Sequence, residues 1–293
     1  MKLIIYFAIV AGILCGLFFP KFGDYSSYIP FMILIMLFLN FLDFKIAYNR
    51  LLRKELLITL FLSVVVMPGI TYYVLSIGLE SSYRLGLLLV ACSPSGIVSV
   101  ILIKYITYKD YNLAFSNLIL STFTSIIYIP IILKLLIGQT VIIEIRSIML
   151  QTAMLIIVPF LLTRIVIKFF TDKQQELIQN LAKYTIPFLI FLIVSFSIGS
   201  AANQLKWNLE LLRLSVSVLG IYFLHGGLGY VAGSLIGKRD LKNTLTFISS
   251  SKNCQIVLAL AILNFSPLTS VPIIIAIIFY HISNAFWLWI LNK

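Results

Sequence analysis

Charge is scarce in this chain. Ten acidic and 22 basic residues are spread over 293, and charged residues make up 11% of the total. A soluble domain is nearer a quarter charged, so a water-exposed globular surface is excluded. Cysteine and histidine are scarcer still, at three and two. Cys15, Cys92 and Cys254 all fall inside apolar stretches, which argues against a disulfide framework and leaves no metal-ligand spacing. No nucleophile–base pair, glycine-rich phosphate loop or His/Glu metal pair is present, so an intramembrane enzyme finds little support. The alternation of a membrane β-barrel is also missing.

What the chain does have is apolar runs of 17 to 27 residues, ten in succession between Leu3 and Leu291. Runs of this length can cross a hydrocarbon core of about 30 Å. The expectation is an all-α polytopic membrane protein forming one transmembrane domain over 1–293, with segments near 3–19, 28–44, 55–78, 84–106, 111–137, 147–170, 183–201, 210–236, 243–264 and 269–291. Asn40 and Asp43 lie near the end of the second segment, and Met67-Pro-Gly69 predicts a kink in the third.

The net charge of +12 is explained without nucleic acid. Loops after even-numbered segments, with both termini, hold 15 of the 22 basic residues, Lys45 and Arg50 among them; the opposite side holds six, including Lys206. By the positive-inside rule both termini belong in the cytoplasm, and the protein in the cell (inner) membrane. Lys2 followed by an apolar run resembles a signal peptide, but Phe18-Phe-Pro20 offers no small-residue cleavage site, so a retained first helix is expected.

Two segments are interrupted. Ala91-Cys-Ser-Pro-Ser-Gly96 breaks the fourth, and Ser249-Ser-Ser-Lys-Asn-Cys-Gln255 puts polar residues in the middle of the ninth. Ser95 and Lys252 are 157 residues apart, and Ile29-Pro-Phe31 recurs as Ile186-Pro-Phe188 at the same offset. Two landmarks at one spacing predict a five-segment unit used twice, about 1–140 and 141–293. An odd number of segments per unit makes the halves inverted, and broken helices at matching positions point to a binding site between them. Pro94 lacks an N–H and opens the helix. The freed backbone groups must then face protein, water or a ligand, because lipid cannot satisfy them.

Lys252 is the basic residue assigned to neither side. A lysine in mid-helix costs roughly 2.5–3.5 kcal/mol on insertion scales and marks a substrate or proton path. Snorkelling to an interface is strained so far from either end of the segment. No carboxylate falls at that depth, which favours an anionic substrate or a proton carried on the lysine. Candidate contacts are Ser95, Gly96, Ser99, Ser250, Ser251, Lys252, Asn253 and Gln255, with Pro94 as the break. His225 and His281 are read as membrane histidines bonded to neighbouring helices. Cys92 and Cys254 are read as small packing groups, a soft-ion site for arsenite being the alternative.

These residues resemble the bile acid:sodium symporter family across essentially the whole chain. Gly16-Leu-Phe-Phe-Pro20 is similar to its first helix, Ala91-Cys-Ser-Pro-Ser-Gly96 with Ser99 to its first break, and Lys109-Asp110 with Leu113 to its link into helix five. Ser249-Ser-Ser-Lys-Asn253 followed by Leu258-Ala-Leu-Ala261 resembles its second break. The resemblance implies ten helices: a panel of one, two, six and seven, and a core of the other six in which four and nine cross at unwound centres. It also implies sodium-driven transport of organic anions. Against the family's pattern, the acidic sodium ligand falls on Ile248, the sodium-binding glutamine on Lys252 and an asparagine on Val100. Helix-five hydroxyls fall on Ala114 and Leu118, while Ser99 and Asn253 remain. An ammonium in place of a carboxylate-lined cation site disfavours sodium and favours proton coupling, exchange or uncoupled movement.

The expected function is therefore secondary active transport of a small or amphipathic organic anion, with no cofactor beyond a coupling ion, H+ before Na+. The alternatives are an arsenite-type efflux carrier and a non-transporting membrane receptor.

Overall fold

A computed structural model describes residues 2–42, 53–138, 143–205 and 208–293. Asp43, Lys45, Arg50 and Lys206 lie outside the described residues. Among those described, every regular element is helical: α1 (Lys2–Phe18), α2 (Ile29–Phe41), α3 (Lys54–Phe61), α4 (Met67–Ile70), α5 (Ser81–Cys92), α6 (Ile97–Leu102), α7 (Tyr111–Ile137), α8 (Ile145–Phe169), α9 (Asp172–Ala201), α10 (Leu209–Ile236), α11 (Arg239–Ser250), α12 (Cys254–Asn264) and α13 (Ser270–Leu291). Among the described residues seven helical stretches are long and apolar enough to cross a membrane, while α5, α12 and the apolar part of α1 are shorter.

The helices pack in two groups. α1 lies along α9, and α2 lies on α8 and α9. Small residues explain the first contact: a Cβ added at Gly12 would come within 2.9 Å of the Phe191 carbonyl, and one at Gly16 within 2.7 Å of the Ser195 carbonyl. Gly-x-x-x-Gly spacing lets helix backbones approach this closely in lipid, where packing replaces the hydrophobic drive. The second group joins α10 to α11 and α13, α13 to α5, and α7 to α3, α5 and α11. α12 touches both groups, through α2 and α8 on one side and α13 on the other. A polar contact reinforces that junction, where Asn264 Nδ2 donates to Gln151 Oε1 at 2.5 Å.

Local chemistry sets the helix ends. Asp110 caps α7 by accepting from the Leu113 N–H, and Thr171 with Gln174 forms a capping box at the start of α9. That box starts α9 eleven residues before the apolar stretch expected at 183, so its first three turns are polar. The expected kink at Met67-Pro-Gly69 takes the form of one short α-helix between two π-helical turns, Leu62–Val66 and Thr71–Leu75. By contrast Pro130, Pro159 and Pro187 sit inside continuous helices.

Candidate functional site

The two interrupted helices meet at their gaps. α5 stops at Cys92 and α6 begins at Ile97; α11 stops at Ser250 and α12 begins at Cys254. Ser95 and Lys252 form an isolated antiparallel bridge. The Gly96 N–H donates to the Ser251 carbonyl at 3.1 Å, and the Asn253 N–H to the Pro94 carbonyl at 2.7 Å. Gly96 sits here because nothing larger fits: an added Cβ would lie 2.9 Å from the Lys252 carbonyl and 3.1 Å from the Tyr280 hydroxyl.

The backbone groups released by Pro94 can be followed one by one. Val90 O, which Pro94 has no N–H to reach, accepts from the Ser93 N–H (3.2 Å) and hydroxyl (2.8 Å). The Ser95 N–H, which would have closed the next turn onto Ala91, donates instead to Ser121 Oγ at 3.2 Å. The Ala91 carbonyl is thereby left open, and the Lys252 ammonium takes it at 3.0 Å, with Ser93 O at 3.3 Å. In α11 the Ile248 carbonyl accepts from Ser95 Oγ at 3.2 Å. The gaps therefore satisfy one another, as backbone in lipid requires.

Lys252 is 4% exposed. Its charge lies against the carbonyl end of α5, the end of a helix where the macrodipole favours a cation. The ammonium thus occupies a position built from main-chain oxygens at a helix terminus.

A cavity of about 470 Å³ runs from this crossing to the surface beside the first turns of α9. Gly96, Lys252, Asn253, Cys254, Gln255 and Tyr280 line its inner end. Exposed Glu176, Asn180 and Lys183 mark its mouth, with Asn40 of α2 also on the wall. The remaining walls are largely aliphatic, among them Ile33, Met36, Ile97, Ile186, Ile190 and Leu258. Such a space suits a ligand with an apolar body and a polar end.

The candidate residues from the sequence divide accordingly. Gly96, Lys252, Asn253 and Gln255 line the cavity, and Gln255 Oε1 is buried there without a hydrogen-bond partner. Pro94 shapes the break. Ser95, Ser99, Ser250 and Ser251 are buried at the crossing and do not line the cavity. Their hydroxyls are engaged: Ser99 with Gly96 O (2.6 Å), Ser250 with Phe247 O (3.0 Å) and Ser251 with Tyr280 Oη (3.0 Å). Tyr280, His281 and Asn40 complete the wall and were not singled out as contacts, since aromatic and amide residues in apolar helices give no periodic signal of their own.

Ile248, Val100, Ala114 and Leu118 are all buried, so hydrocarbon fills the positions to which the family resemblance assigns oxygen ligands. His225 is buried, with Nε2 3.4 Å from Ser63 Oγ. Cys92 is buried; Cys254 Sγ lies 3.4 Å from the Tyr222 hydroxyl.

The model of the Sodium Bile acid symporter family matches residues 28–207. An uncharacterized sodium-dependent transporter, YocS, of Bacillus subtilis is 23% identical over 92% of this chain and 85% of its own length. A probable chloroplastic sodium/metabolite cotransporter, BASS1, of Oryza sativa subsp. japonica is 28% identical over 78% of this chain and 56% of its own length. The uncharacterized protein YbaS of Bacillus subtilis is 24% identical over 71% of this chain and 68% of its own length.

Proposed function

The chain belongs to the Sodium Bile acid symporter family, and from that premise we propose that it moves a small or amphipathic organic anion by alternating access, with the Lys252 ammonium standing where a coupling cation would. The family makes it a membrane transporter and not an enzyme, which removes the ground for a receptor. In this reading α1 and the two interrupted helices join the seven long spans as ten. The chain is one domain of two inverted five-span units, about 1–140 and 141–293, with its termini in the cytoplasm of a cell whose inner membrane holds it.

One observation carries the reading: a buried ammonium bonded to Ala91 O and Ser93 O at the inner end of an otherwise apolar cavity. A positive charge there complements a carboxylate or sulfonate entering from the mouth beside Lys183. Asn253 and Gln255 supply amide contacts. The same charge repels sodium, so the cycle runs on a proton, on exchange or on the anion gradient alone.

A sodium-coupled reading is favoured by the names of YocS and BASS1. Proteoliposomes offered a panel of labelled carboxylates from outside separate the two. Uptake that follows an imposed pH or counter-anion gradient and persists without sodium supports the lysine reading; a strict sodium requirement overturns it. Arsenite efflux is tested in the same vesicles: a Cys92→Ala/Cys254→Ala protein with undiminished efflux removes any thiol-based carrier.

A further inference from the structure

The link between α6 and α7 is stapled to two distant parts of the chain. The Thr107 N–H and hydroxyl both donate to Asn292 Oδ1 at 2.9 Å, and Asn292 Nδ2 donates to the Tyr105 carbonyl at 2.9 Å. The Asp110 N–H donates to Thr244 Oγ1 at 2.8 Å. These bonds gather Lys104 and Lys109 from the link, Lys238, Arg239 and Lys242 from the start of α11, and Lys293 from the chain end. The acids nearby are few. Asp110 and Glu55 are both bonded to Arg53, and Asp240 lies in the first turn of α11. Among the described residues none of the six cations forms a salt bridge; Arg53 alone does.

Lys104, Arg239 and Lys293 rest instead on rings, and Lys109 Nζ donates to the Lys104 carbonyl at 2.6 Å. The Arg239 guanidinium is 4.3 Å from the Tyr108 centroid, Lys293 Nζ 3.4 Å from Trp289 and Lys104 Nζ 5.5 Å from Tyr111. Tyr108 is 48% exposed and Trp289 59%. Exposed Tyr and Trp at helix ends mark the bilayer interface, so they place these charges at headgroup depth. A ring under a cation leaves its other N–H donors free to turn outward.

We infer that the surface formed by Lys104, Lys109, Arg239 and Lys293 holds the phosphate of an anionic phospholipid. The charge is complementary, and the patch is flanked by exposed Trp289 rather than enclosed, which fits a headgroup whose tails stay in the bilayer and not a free solute. Basic clusters at this depth attract anionic lipid at about 1 kcal/mol per charge, or roughly fivefold in affinity each. Because α6 leads directly from the crossing into the stapled link, the lipid would also hold one end of the broken helix in place. The proposal does not depend on what the cavity carries.

The test is lipid retention by the purified full-length protein, read by native mass spectrometry after incubation with phosphatidylglycerol or phosphatidylcholine. The unaltered protein is expected to retain phosphatidylglycerol selectively. Lys104→Gln/Lys109→Gln/Arg239→Gln is expected to bind it roughly a hundredfold more weakly, whereas Lys104→Arg/Lys109→Arg and Lys134→Gln, the last at the far end of α7, keep it. Where the triple variant does not fold, Arg239→Gln alone is expected to show the fivefold loss. Equal retention by the neutralised variants, equal retention of phosphatidylcholine, or full displacement by excess inorganic phosphate overturns the proposal, the last by making it a site for a free anion.

Discussion

The Lys252 ammonium caps the carbonyl of Ala91, a residue 161 positions earlier, at 3.0 Å. Neither group is buried to advantage alone. A lysine charge away from water and a carbonyl deprived of its helical partner each cost several kcal/mol, and each is the other's remedy. The pair therefore ties the presence of the lysine to the presence of Pro94.

Lys252→Met is expected to leave Ala91 O and Ser93 O without a donor while also removing the desolvated charge, so the change in melting temperature is small. Anion binding, however, should fall at least tenfold in a direct binding titration, because the positive end of the cavity is gone. Unchanged binding and unchanged coupling would contradict the role given to the lysine.

Lys252→Gln combined with Ile248→Glu restores at two positions the residue types that the family resemblance expects. Uptake by this double variant is expected to become sodium-dependent, read as initial rate against sodium concentration. Each single change is expected to fall short, Ile248→Glu because its carboxylate would face the ammonium and Lys252→Gln because no carboxylate accompanies it.

Gly96→Ala forces a methyl group against the Lys252 carbonyl and the Tyr280 hydroxyl. Overpacking of this kind costs about 1–3 kcal/mol, visible as a lower melting temperature, and transport should fall further than stability because the crossing itself is displaced. Gly227→Ala is the control: nothing lies within 4 Å of its added Cβ, and the melting temperature should hold or rise.

Outside the membrane-spanning segments, Asp110 gives a pH prediction. Burial pushes its carboxyl up, but the Arg53 guanidinium and the Leu113 N–H outweigh burial and hold it below the ordinary carboxylate range. A depressed pKa means the stabilisation is fully present above about pH 4, the unfolded value, and is lost as pH falls through the lower folded value. Asp110→Asn keeps the cap but not the ion pair. The gap in melting temperature between the two proteins should be small at neutral pH, as for any part-exposed pair, and should close below pH 4. A gap that widens in acid would contradict the assignment.

Much of this site is legible in the sequence because its signals are violations. Pro94 and Gly96 inside one apolar run, and Lys252 inside another, cannot be lipid-facing helix, and their common offset says that they meet. The serines were harder. Ser99 and Ser250 look like ligands by composition, yet each hydroxyl turns back to a carbonyl three residues earlier, a local bond that competes with any substrate and leaves no trace in the pattern. The early start of α9 is written in Thr171-Asp-Lys-Gln174, a capping box that hydropathy does not register, because hydropathy marks where apolar residues begin and not where the helix does. Asn40 and Tyr280 reach the cavity only through the way α2 and α13 are turned, which no single-chain periodicity encodes.

The glycine seam between α1 and α9 has a mechanical consequence. With Gly12 and Gly16 leaving room for little more than hydrogen against Phe191 and Ser195, these two helices cannot slide or roll on one another and must travel as a single plank. Any motion that exposes the cavity to the opposite face then has its bearing where the two groups meet, along α12 and where α7 packs on α8, and not within the plank itself.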